Sequence, residues 1–149
     1  MFDDRNFRTS DQPLAAWQQA WRGGIARQLS LGSLLALRSA LESDSHELAQ
    51  GITTHPPALI SNEDHPMCAA CVLALAIWRG EGLETVGQVD ERFNQICAQA
   101  GQYLGDPAGA GYFLNWVDGT PRDEMRAQLL EEVRFSIAER EPAEELAAA

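Results

Sequence analysis

The residues whose types and spacing could do chemistry are His65, Cys68 and Cys71, in the run His65-x-x-Cys68-x-x-Cys71. On a helix, Cys68 and Cys71 would lie one turn apart on the same face. Cys68 would then fall in the first turn, where the helix dipole favours a thiolate. Two thiols so placed could exchange with a disulfide, and the neighbouring histidine could move the proton. The same side chains, joined by Cys97 or His55, could instead hold a metal. Structural zinc sites pair two ligand couples, however, and the chain has no second CxxC and no HxxxH. The reading therefore expects no metal and no cofactor. Cysteine is among the most buried residue types, and Cys68, Cys71 and Cys97 are best read as small hydrophobes of the core.

The CxxC resembles, over these few residues, that of helical alkylhydroperoxidase-like proteins. Their pattern places a histidine four residues after the second cysteine. This chain has Leu75 there, so the thiol chemistry implied by the resemblance lacks its histidine.

Other groups have simpler readings. Glu63-Asp64-His65 could be an acid–base cluster, but a helix cap explains it without chemistry. Glu131-Glu132 and Glu144-Glu145 are adjacent in sequence rather than matched on one face, and read as solvated surface. Gly109-x-Gly111 lacks the Gly-Lys-Ser/Thr ending of a phosphate loop, and no Gly-x-Ser-x-Gly elbow, His-Glu-x-x-His or EF-hand loop occurs. Trp17 and Trp21, one turn apart, could form a binding stripe. They are better read as anchors to the core, because tryptophan is usually well buried. Candidate binding residues are His55, in the longest irregular stretch, and Trp116 and Asp118, which close the compact aromatic segment after residue 112. An enzyme is the less favoured reading.

The element that must position the cysteines is the most apolar run of the chain, Met67 to Trp78. Ser61 or Asn62 can cap it, Glu63 and Asp64 complement the dipole, Pro66 suits the first helical position, and Arg79-Gly80 end it. Twelve residues would span about 18 Å as a helix, short of the roughly 30 Å of a bilayer core. Apolar all round, it must be buried in protein. The spacing thus predicts a central buried helix over about 66–79.

Around it the pattern predicts further helices. One runs from Pro13 to a stop at Gly23-Gly24. Another is capped by Ser33 and broken at Ser43-Asp44-Ser45. A short one covers Ser45–Gln50. The cleanest follows a Thr85/Gln88 capping box, with Val86, Val89, Phe93, Ile96, Cys97, Ala100 and Tyr103 on its apolar face. The segment Tyr112–Val117 reads as a short helix or packed coil. The last starts at Thr120-Pro121, buries Met125, Leu129, Leu130, Val133 and Ile137, and ends at Pro142. The result is an all-α, irregular bundle of five or six helices. Residues 1–9 read as an N-terminal arm, 10–141 as one domain, and 142–149 as a frayed tail.

Composition bounds the rest. Formal net charge is −11, with no lysine; all eleven basic residues are arginine, dispersed along the chain. Nucleic acids and anionic membranes call for a positive surface, so neither is an expected partner. The arginine and alanine bias reads as that of a GC-rich bacterial genome. The N-terminal residues have no apolar core region, so no signal peptide is expected. Three cysteines, an odd number, fit a reducing cytoplasm. The functional reading is a small acidic module that binds another protein, one with a basic surface. The rival is a thiol redox or metal-binding protein using His65, Cys68 and Cys71.

Overall fold

The computed structural model describes residues 13–50 and 66–148, with side chains described to residue 140. It is an all-α bundle. The helices are α1 (Ala16–Ala20), α2 (Leu31–Ser43), α3 (Val72–Gly80), α4 (Val86–Leu104), α5 (Gly109–Gly119) and α6 (Arg122–Ala148). A π-helical turn, Trp21–Ile25, and a 3-10 turn, Ala26–Gln28, continue α1.

α3 is the centre. Every residue from Val72 to Trp78 is buried, as a helix apolar on all sides requires. α2 and α4 pack on it; α6 lies on α2, and α5 bridges α1 and α4. α4 begins at the predicted box: Thr85 Oγ1 accepts from the Gln88 N–H at 3.3 Å, and Gln88 Oε1 accepts back from the Thr85 N–H at 3.3 Å. Gly80 lets α3 end against α2, for a Cβ there would collide with the Ser33 backbone. Among the described residues, no helix is long and apolar enough to cross a membrane.

Five local expectations change. The central helix starts at Val72, not Pro66. Residues 66–70 are held extended by bonds from elsewhere in the chain. The Met67 N–H donates to Glu84 O (3.1 Å), the Ala70 N–H to Glu47 O (2.8 Å), and the Ala49 N–H to Ala70 O (2.8 Å). These make isolated bridges, Leu48 with Ala70 and Pro66 with Thr85. The expected helix at Ser45–Gln50 is therefore a turn and bridge, opened by Ser45 Oγ accepting from the Glu47 N–H, the local bond by which serine competes with helix.

Gly23-Gly24 does not stop its helix but widens it into the π-helical turn. The lack of side chains there admits α4: a Cβ on Gly24 would lie 2.9 Å from Leu104 Cδ1 and 3.0 Å from Ala100 Cβ. α2 is capped by Ser30, whose Oγ accepts from the Ser33 N–H at 3.0 Å; Ser33 itself is buried. Pro142 lies within α6 rather than ending it. Proline's fixed φ is itself helical, and its effect is to remove one bond to the turn behind.

Candidate functional site

The cysteines come apart. Along 66–69 exposure alternates: Pro66 and Cys68 face out, Met67 and Ala69 face in. This is the two-residue period of an extended chain. Cys68 is exposed and its thiol donates weakly to Pro66 O at 3.9 Å. Cys71 is buried as the N-cap residue of α3. The two are not one turn apart on a helix face, because the helix begins after both. Nor are all three cysteines core residues: Cys71 is, Cys97 is half-buried and Cys68 is on the surface. Burial pushes the Cys71 thiol up to about 11, and burial also raises that of Cys97. A thiol held protonated is a poor nucleophile and a poor ligand. Among the described residues no group of three or more His, Cys, Asp or Glu is placed to hold a metal. His65, His55 and the expected cap over 61–65 lie outside the described residues.

The other binding candidates do not join the cysteines into a site. Trp116 stacks on Trp17, rings 3.6 Å apart and 3° from parallel. Trp17 and Trp21 are buried and pack on Phe113, so both are core anchors. Asp118 is exposed on α5, close enough to Cys71 for its charge to help hold that thiol protonated.

What the structure does assemble is a seam between α6 and the α1/π-turn segment. Four polar residues are buried among those described: Gln18, Ser33, Glu132 and Ser136. Three of them meet here. Glu132, expected on the surface, is only 4% exposed. Its carboxylate accepts from Gln18 Nε2 at 3.0 Å and from Arg22 Nε and Nη2 at 2.7 and 3.1 Å. Gln18 uses its other end to accept from the Ala15 N–H at the start of α1, at 2.9 Å. One turn along α6, Ser136 Oγ accepts from the indole N–H of Trp21 at 3.1 Å. One turn further, the Arg140 guanidinium donates to Leu29 O and, at 2.7 Å, to Ala26 O, capping the 3-10 turn. The hydrogen bond that Arg22 donates to Glu132 raises its guanidinium above the ordinary value against the opposing effect of burial, helped by the charges of Glu132 and Glu139.

Outside this seam opens a cleft of about 470 Å³, lined by Arg22, Ala26, Arg27, Phe135, Ser136, Glu139 and Arg140. Phe135, in its lining, is 43% exposed; Tyr103, expected on the buried face of α4, is 45% exposed instead. Each has a guanidinium over its ring: Arg22 lies 4.4 Å from the Phe135 centroid, and Arg27 3.8 Å from that of Tyr103. Such cation–π pairs hold both partners in place.

The sequence contains a signal for this seam. Glu132, Ser136 and Arg140 stand at i, i+4 and i+8, a polar row beside the apolar row Met125, Leu129, Val133, Ile137. Reading Glu131-Glu132 as a pair hid the row.

No family model matches the chain, and neither the curated proteins nor the solved structures compared with it give a match.

Proposed function

We propose that this chain is a protein-binding module that docks its partner at the cleft between α6 and the π-helical turn. The observation that carries the reading is the pair of exposed aromatic rings, Phe135 and Tyr103, each stacked under an arginine that lines the same cleft. Aromatic residues and arginine are the types enriched at binding hot spots. The seam behind them supports the reading further, since it fixes the Arg22 and Arg140 guanidiniums before a partner arrives and so lowers the entropy lost on binding.

The net charge of −11 favours long-range steering toward a partner with a basic surface and disfavours nucleic acid. Cysteines free of disulfides support a reducing, cytoplasmic setting. The rival thiol reading has less support, with Cys68 and Cys71 on different sides of an extended segment.

Chemical cross-linking followed by affinity purification tests the proposal, comparing the wild type with a Tyr103→Ala/Phe135→Ala variant of equal helicity. The wild type should retain a partner protein near stoichiometry, and the variant should retain at least about tenfold less, the loss expected of hot-spot aromatics. Equal retention by both, or none by either, removes the reading.

A further inference from the structure

We infer that the occupant of the cleft is an acidic peptide segment of the partner, with a carboxylate among Arg22, Arg27 and Arg140 and an apolar side chain against Phe135. This rests on the docking reading above and deepens it.

Among the described residues, the cleft lining has the opposite sign to the molecule. There, three guanidiniums line it against the single carboxylate of Glu139, with Glu132 buried behind Arg22. The Debye length at physiological salt is about 8 Å, so a ligand within the cleft feels these arginines more strongly than the dispersed charge of the chain, which acts on the partner's basic surface during approach.

The donors are available. A guanidinium carries five N–H groups. Arg22 uses Nε and Nη2 on Glu132. Arg140 uses Nη1 and Nη2 on main-chain carbonyls. Arg27 makes one long bond, from Nη1 to Gly23 O at 3.4 Å. Among the described residues this leaves Nη1 of Arg22, Nε of Arg140, and Nε and Nη2 of Arg27. Two of the three guanidiniums are thus held in place with donors to offer, the arrangement that favours carboxylate recognition.

The setting is also rare in backbone terms. Arg22 stands in the π-helical turn, and such turns are frequent at functional sites. At about 470 Å³ the cleft has room for more than a lone oxyanion, and the Phe135 ring gives the remainder an apolar wall.

Fluorescence anisotropy tests this with a fluorescein-labelled peptide of alternating Glu and Phe, a Lys/Phe peptide of the same length, and inorganic phosphate as competitor. The Glu/Phe peptide should bind, lose at least about tenfold in affinity with Arg27→Glu, weaken with salt and weaken with Phe135→Ala. The Lys/Phe peptide should not bind. Arg27→Gln, a milder change at this exposed position, should reproduce the loss in part. Failure of the Glu/Phe peptide to bind, equal binding of the Lys/Phe peptide, indifference to the variants, or complete displacement by millimolar phosphate overturns the inference. If the cross-linked partner is still lost with Tyr103→Ala/Phe135→Ala while no acidic peptide binds, the docking reading stands and the acidic occupant falls. If both experiments fail, both fall.

Discussion

Glu132 is the residue on which the seam turns. Its carboxylate accepts three hydrogen bonds while almost fully buried, and its removal takes that partner from the buried Gln18 amide and from the Arg22 guanidinium, which is 35% exposed at the cleft. Because breaking a buried pair costs more than the pair contributes, Glu132→Ala should lose about 2–4 kcal/mol in a denaturant titration. Glu131→Ala, its exposed neighbour, should lose less than about 0.5. A near-neutral Glu132→Ala would show that the network is not formed. Cys71 gives a second prediction, in pH. Its thiol is raised in the folded state from about 9 to about 11, so the fold holds the proton more tightly than the unfolded chain does. The resulting stability is fully present below pH 9 and is lost as pH rises to 11, by roughly 2–3 kcal/mol. Cys71→Ala should flatten that fall in urea titrations across the window.

At the scale of elements, close approaches decide which glycines matter. Gly80 lets α3 meet α2 at Ser33, a buried residue of the first turn, and backbone has no room to move aside. Gly80→Ala should therefore cost about 1–3 kcal/mol, as overpacking does. Gly111, inside α5, has nothing within 4 Å of where a Cβ would stand, so Gly111→Ala should stabilise by about 0.5–1 kcal/mol through helix propensity alone. Thermal melts of the two variants should shift in opposite directions; a shared direction would contradict the packing of α3 on α2. The arginines of α6 act at this scale too. Arg126 donates to Leu41 O at the end of α2, and Arg140 to the carbonyls that end the 3-10 turn. Each cation meets the negative end of a helical segment, which ties α6 to the elements that precede it.

At the scale of the whole molecule, most of the described arginines are already engaged. Arg22, Arg79, Arg92, Arg122, Arg126 and Arg134 are each ion-paired. Three line one cleft, too few to displace the several counterions that give strong nucleic-acid affinity. The protein should therefore pass through immobilised DNA or RNA at moderate salt; tight, salt-sensitive retention would overturn that expectation.

The sequence by itself determined the all-α class, the central buried helix, the capping box of α4, the start of α6 and the core placement of Trp17 and Trp21. Each is a local matter of period, caps and hydropathy, and neighbours along the chain carry that information. The start of α3 was beyond it. Met67 to Cys71 is as apolar as the helix that follows, and it is held extended by donating to the carbonyls of Glu47 and Glu84 and accepting from the Ala49 N–H, all distant in sequence. The cleft was likewise beyond it. The polar row of Glu132, Ser136 and Arg140 can be read from spacing, but its meaning depends on the segment from Gln18 to Leu29 lying opposite. That pairing joins residues over a hundred positions apart, and only the packing of the bundle brings them together.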